Sequence, residues 1–245
     1  MAAGLKPIKL GASCAALAIC MMACAAAQAQ VIVLQSTVSK YKSGSTLGKA
    51  TNVAVPAGGM ILVVLPSGVT RTINGPFNGK VAALSKGGGR SNAALFNAVK
   101  KYVKTGGAST KTVGAMRSIA PQRLPTFSWA KVPLKAEGDI CIARGDSISI
   151  TRMKSAKSLS VTVIDLSSTQ RAKVAFAAGQ YEASWPAELP LKNSNYALIP
   201  VGKKMRQVRV RLIAPIPTAD QTLQVLHGQR CNMQFAEFLR GFAQN

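Results

Sequence analysis

Residues Gly44–Pro76 read GSTLGKATNVAVPAGGMILVVLPSGVTRTINGP, and the fold turns on how this stretch is divided. Three apolar segments rich in β-branched residues, Asn52–Val55, Met60–Leu65 and Val69–Ile73, are separated by Pro56-Ala57-Gly58-Gly59, Pro66-Ser67-Gly68 and Asn74-Gly75-Pro76. Short apolar runs bounded by Pro, Gly and Asn are strands joined by tight turns. In Pro-Ser-Gly, proline presets φ early in the turn and glycine accepts positive φ later, so the last two segments are expected to form a hairpin. The cheapest arrangement for the whole stretch is a compact β-meander.

Toward the N-terminus, Val31–Tyr41 (VIVLQSTVSKY) is expected to be a strand running from exposed to buried, ending in a turn at Lys42-Ser43-Gly44-Ser45. Before it, Lys6 and Lys9 precede an apolar run of Ala, Cys and Met over Leu10–Ala26, and Ala27-Gln28-Ala29 fits the small-x-small cleavage rule. The expectation is a signal peptide over 1–29 and export to the periplasm. An uncleaved anchor is the alternative, disfavoured by the short, Ala-rich run. Lipidation at Cys24 would follow Met21-Met22-Ala23, a poor lipoprotein signal.

Toward the C-terminus, Phe77–Gly89 reads as loop, with Gly87-Gly88-Gly89 as a joint. A phosphate cradle there would need a following Gly-Lys-Ser/Thr, and Arg90 stands instead. Ser91 is the expected N-cap of an amphipathic helix over 92–104, in which Leu95, Val99, Tyr102 and Val103 share one face and Lys100, Lys101 and Lys104 the other. Such a helix either packs on the β-domain or lies on a membrane, and the shortage of bulky insertion residues favours packing. Residues 106–125 are polar, basic and aperiodic, as in an interdomain connection.

From 126 onward, strands are expected at Thr126–Val132, Ile140–Ala143, Ser147–Thr151, Leu159–Ile164, Ala172–Phe176, Tyr181–Ser184, Tyr196–Pro200 and Gln207–Leu212, forming a small antiparallel sandwich. Thr218 with Gln221 reads as a capping box opening a helix that Gly228 ends, and a second short helix carries Cys231, Phe235, Phe238 and Leu239. The fold class is therefore mainly β. It comprises a β-meander or β-roll domain over 30–80, a linker over 81–125 with one helix, and a β-sandwich-like domain over 126–245 ending in two short helices.

Of five cysteines, Cys14, Cys20 and Cys24 lie within the expected signal peptide, leaving Cys141 and Cys231. In an oxidising compartment such a pair forms one disulfide. The net charge is +23, two less without Lys6 and Lys9. A field of this size favours anionic glycans, phosphorylated headgroups or nucleic acid. The charges are spread along the chain, however, so a simply basic surface explains them as well.

No complete catalytic or metal set is legible, and no cofactor is expected. His227 is the sole histidine, which excludes multi-histidine zinc sites, and it reads as a cation at a helix C-terminus. The acids Glu137, Asp139, Asp146, Asp165, Glu182, Glu188, Asp220 and Glu237 show no close pair in a glycosidase-like context. Cys141-Ile142-Ala143-Arg144 is superficially similar to an L,D-transpeptidase active site. That family's run is Ser-x-Gly-Cys-x-Arg with its histidine upstream, whereas Gly138-Asp139-Ile140 precede Cys141 and His227 follows. Trp129 and Trp185 could form a sugar platform, with core or rim packing the plainer assignment.

The elements Gly44-Ser-Thr-Leu47, Val55-Pro-Ala-Gly58, Ile61–Gly68 and Ile73-Asn-Gly-Pro76 resemble the β-repeat of FecR-type periplasmic domains, in which G-x-x-L leads into G-x-x-v-x-l-x-x-G and l-x-G-P. Cys141, Trp185-Pro186 and the Cys231 helix are similar to the C-terminal half of exported alphaproteobacterial proteins that carry such a domain. The resemblance implies a non-enzymatic protein-interaction, scaffold or envelope-sensing role with an envelope protein as partner. Full regulators of that family have a cytoplasmic anti-sigma segment and a transmembrane helix before the periplasmic part. Neither is seen here, so direct signalling to a sigma factor is not carried over. The other expectation is a basic binder of lipopolysaccharide, peptidoglycan or a membrane surface, with nucleic acid disfavoured by the exported address.

Overall fold

Four apolar residues in a row open the described chain, and they set its first layer. The computed structural model describes residues 30–84, 90–104, 127–145, 147–153 and 156–243. The expected signal peptide, the triplet Gly87–Gly89 and the connection over 106–125 lie outside them. Strands β1 (Val31–Ser36), β2 (Thr46–Leu47), β3 (Asn52–Val55), β4 (Met60–Val64), β5 (Thr70–Asn74) and β6 (Phe77–Lys80) follow in order. The expected hairpin is present, with Met60 opposite Asn74 and Val64 opposite Thr70. It does not belong to a meander. The sheet order is β2-β1-β4-β5, and β3 pairs separately with β6. The patterning explains the difference. β1 and β4 carry continuous apolar runs, which are stable only when buried on both faces between neighbouring strands. β3 alternates buried Val53 and Val55 with exposed Asn52 and Ala54, and so suits a one-sided ribbon. Likewise β1 runs from buried Val31–Leu34 to half-buried Gln35 and Ser36, opposite to the expected direction.

Phe77–Leu84 is ordered rather than loop: β6 leads directly into the single helical turn α1 (Val81–Leu84), whose Val81 and Leu84 are buried against Val31, Val33, Ile61, Val63 and Ile73. The opposite face of the same sheet, Ile32, Leu34, Leu62 and Val64, meets helix α2 (Ala93–Lys104) through Leu95 and Val99. The cap of α2 is Asn92, not Ser91: the Leu95 N–H donates to Asn92 Oδ1 at 3.0 Å.

The remaining strands are β7 (Lys131–Pro133), β8 (Gly138–Ala143), β9 (Ser149–Thr151), β10 (Leu159–Asp165), β11 (Arg171–Phe176), β12 (Glu182–Ser184), β13 (Asn195–Pro200) and β14 (Arg206–Ile213). A five-stranded sheet, β11-β10-β13-β14-β8, faces a three-stranded one, β12-β9-β7. Between them lie Ile140, Ile142, Ile150, Val161, Val163, Phe176, Leu198, Val208 and Val210. The sandwich is mixed rather than wholly antiparallel, because β8 runs parallel to β14 and β7 parallel to β9. Both pairs join strands separated by long intervening chain, which permits the crossover that parallel pairing requires.

Helix α3 (Thr222–Gly228) begins four residues after Thr218, and the expected capping box is absent: Gln221 occupies the cap position with no side-chain bond, while Thr222 Oγ1 donates to the Thr218 carbonyl at 3.1 Å. Gly228 is the last helical residue, and the left-handed residue that turns the chain into α4 (Asn232–Ala243) is Arg230, at φ 62°. Leu223 and Leu226 of α3 and Phe235 and Leu239 of α4 complete the cluster on the outer face of β1 and β4. Cys141 of β8 and Cys231 are disulfide-bonded within it, Cα atoms 5.9 Å apart and both residues 0 % exposed. Gln234 closes the open edge of β8 by accepting from the Cys141 N–H at 2.7 Å and donating to the Cys141 carbonyl at 2.8 Å.

Candidate anion-binding groove

The sheets of the sandwich separate at one end and leave a groove of about 800 Å³. Its cations come from four places in the chain: Lys135 after β7, Arg152 after β9, Lys157 before β10, and Lys203, Lys204 and Arg206 in and after the β13–β14 turn. Among the described residues, its lining contains no Asp or Glu. These cations meet because each lies in or beside a turn at the same end of the sandwich. The field is partly held in place by neighbours. Arg206 pairs with Glu137 at the rim. Arg152, 8 % exposed, donates from Nε to the Gln180 carbonyl and from a terminal nitrogen to the Ala177 carbonyl, both at 2.8 Å, and lies over the Phe176 ring. Among the described residues, no ion pair engages Lys203 or Lys204, and both are exposed.

Asp139, Glu182 and Asp165 are engaged by partners away from the groove. Asp139 accepts from Arg209 Nε and a second Arg209 nitrogen at 2.6 and 2.7 Å and from Arg211 Nε at 2.8 Å. The Arg209 bonds, with Arg211 adding to them, hold its carboxyl below the usual range against a cost of burial. Glu182 is lowered by Lys131 and by the Ser149 hydroxyl, which donates at 2.5 Å. Asp165, with a side chain 4 % exposed, organises the β10–β11 turn. It accepts from the Ser167 amide and hydroxyl, the Ser168 and Ser194 hydroxyls, and Lys192 Nζ at 2.8 Å. Burial alone would raise its pKa, but Lys192 and the serine donors outweigh it and hold the carboxyl far below the ordinary value. Glu237 goes the other way: its position on α4 raises its pKa through burial, only partly offset by Lys135 and Arg240.

Asp165→Asn should therefore destabilise the fold by about 2 to 3 kcal/mol at pH 7, the scale of hydrogen bonds to a charged group. The lowered carboxylates contribute stability above the unfolded range near pH 4, and lose it as pH falls through their lower folded values. Urea midpoints should thus fall between pH 5 and pH 2 in the wild-type protein, and fall less in the variant.

Of the residues that sequence reading singled out, Cys141 and Cys231 meet in the disulfide, away from the groove. His227 lies in the last turn of α3 with its ring 6.0 Å from that of Phe235, and the Cys141 sulfur is held in the disulfide. Trp185 donates to the Leu189 carbonyl at 2.8 Å and packs edge-on against Tyr196, while Trp129 packs against Phe127; neither forms a platform with the other. Asp146 lies outside the described residues. Among the described residues no cluster of His, Cys, Asp and Glu could hold a metal ion, and no helix is long and apolar enough to cross a membrane. The groove residues were missed because their charges are far apart in sequence. The one local signal was Val201-Gly202-Lys203-Lys204-Met205, an apolar and basic turn between two expected strands. Comparison with protein-family models, with curated proteins and with solved structures gives no match for this chain.

Proposed function

We propose that the protein is an exported, non-enzymatic binding protein of the cell envelope, and that the groove at the end of its sandwich takes an anionic envelope ligand. The observation that carries this is the convergence of Lys135, Arg152, Lys157, Lys203, Lys204 and Arg206 on one groove lined, among the described residues, by no carboxylate. The disulfide supports an exported address, since buried disulfides persist in oxidising compartments. Phosphate- or carboxylate-bearing polymers such as lipopolysaccharide and peptidoglycan have the complementary charge. Binding to purified peptidoglycan and to deacylated, water-soluble lipopolysaccharide should weaken steeply with salt. Lys203→Glu/Lys204→Glu should weaken it at least about tenfold, given roughly 1 kcal/mol per lysine near an anionic surface. Salt-insensitive binding, or full binding by the double variant, would exclude the groove.

A protein partner, the reading implied by the FecR-like resemblance of Gly44–Pro76, is favoured by one feature. The β3–β6 ribbon has only two strands, and β6 has no neighbouring strand on its far side among the described residues. Such an edge can accept a strand from another protein. Crosslinking in intact cells from a photoreactive residue at Asn78 should capture a single partner; recovery of none would count against this reading.

A further inference from the structure

The ring of side chains around the groove mouth carries more than charge. Of the five large apolar residues that stand exposed among the described residues, two line this mouth, Met153 at 47 % and Val201 at 68 %, and a third, Met205 at 57 %, stands between the lining residues Lys204 and Arg206. Val201 and Met205 flank Gly202, Lys203 and Lys204 in the turn between β13 and β14, so the tip reads apolar, basic, basic, apolar. Gly202 has φ 70° with nothing within 4 Å of where a Cβ would stand, and every residue from Val201 to Met205 is exposed. Behind the tip, Leu134 and Leu159 continue the apolar surface into the groove, and Arg152 ties the chain next to Met153 to the carbonyls of Gln180 and Ala177.

A hydrophilic polymer would use the lysines and leave Met153, Val201 and Met205 without a role. A bilayer surface uses both sets, with aliphatic side chains entering the boundary between headgroup and acyl chain while neighbouring ammonium groups meet phosphates. We propose that the β13–β14 tip and Met153 dock this protein on a phosphate-bearing bilayer surface. This deepens, and rests on, the anionic-ligand reading of the same groove. The occupant is the lipid surface rather than a soluble phosphate, because only the surface offers an apolar layer beside the charge.

The experiment is co-sedimentation of the purified protein with phosphatidylcholine vesicles, with and without phosphatidylglycerol, alongside peptidoglycan binding. The expected result is partition onto the anionic vesicles alone, undiminished by soluble glycerol phosphate at a concentration that matches the lipid phosphate. Val201→Ser/Met205→Ser should reduce that partition about tenfold, from loss of buried apolar area, and leave peptidoglycan binding intact. Lys203→Glu/Lys204→Glu should reduce both. If the protein binds peptidoglycan but no vesicles, or if Val201→Ser/Met205→Ser partitions like the wild type, the bilayer proposal is overturned while the anionic-ligand reading stands. Binding to neither peptidoglycan, deacylated lipopolysaccharide nor vesicles would end both.

Discussion

Replacing both Cys141 and Cys231 with alanine should lower stability by about 4 to 5 kcal/mol, the largest effect expected of any change discussed here. The bond closes a loop with a sequence separation of 90. On the chain-entropy argument, a loop of that length confers about that much by restricting the unfolded chain. Its position adds to this. Cys141 belongs to the sandwich, whereas Cys231 stands at the start of α4, whose Phe235 and Leu239 pack with Ile32, Leu34, Leu62 and Val64 of the first sheet. The bond thus staples β8 to a helix that covers a different sheet. With a urea slope of about 2 kcal/mol/M, the midpoint should move down by about 2 M. The reduced wild-type protein should move with it. A midpoint shift below about 0.5 M in both would show that packing around α4 holds the two regions together without the bond.

Gly68→Ala is expected to cost about 2 to 4 kcal/mol, from two sources acting on one atom. Gly68 has φ +89°, a conformation strained for any residue with a Cβ. An added Cβ would also stand 2.8 Å from Leu95 Cγ and closer still to Cδ2, and Leu95 is fully buried. The turn cannot yield easily, since the Gly68 N–H donates to the Leu65 carbonyl at 2.9 Å and Gln224 of α3 donates to the neighbouring Ser67 carbonyl at 2.8 Å. Gly58→Ala is the internal comparison. At φ +75° with nothing within 4 Å, it should lose only the backbone contribution, about 1 kcal/mol. Adding Leu95→Ala to Gly68→Ala should cost less than the two single effects summed, because truncating Leu95 removes the collision. Strict additivity in that cycle would show that the strain is purely backbone.

These two sites also mark where sequence reading stopped. Gly44 and Gly68 were legible as turn glycines of a β-module. Their second property, close approach to Val103 and Leu95 of α2, was not. Helix α2 was legible from the spacing of Leu95 and Val99, and packing on the β-domain was favoured over a membrane surface. In the structure it lies on the sheet, and Tyr102 Oη donates to the Ala236 carbonyl of α4 at 2.8 Å. Seven of the eight sandwich strands were located to within two residues from β-branched runs and turns, whereas Thr126–Val132 was expected where only Lys131–Pro133 is strand after a turn at Trp129-Ala130, and the pairing was not legible. Propensity and turn chemistry act over a few residues, while parallel pairing of β8 with β14 brings together residues some seventy apart in the chain, as Val208 opposite Gly138 shows.

By itself the sequence determined that the chain is mainly β, that Gly44–Pro76 turns at proline and glycine, that two helices end it, and that Cys141 and Cys231 are the pair expected to bond. Each is a local matter of side-chain shape, backbone freedom and residue inventory. Only the tertiary structure decided that β1 and β4 are buried on one face beneath α2, α3 and α4 and on the other against β3 and α1, and that one end of the sandwich collects six cations around exposed Met153 and Val201. The physical reason is the same in both cases. Burial of a continuous apolar strand and the sum of charges at a surface depend on which distant segments become neighbours, and that is set by packing of the whole chain.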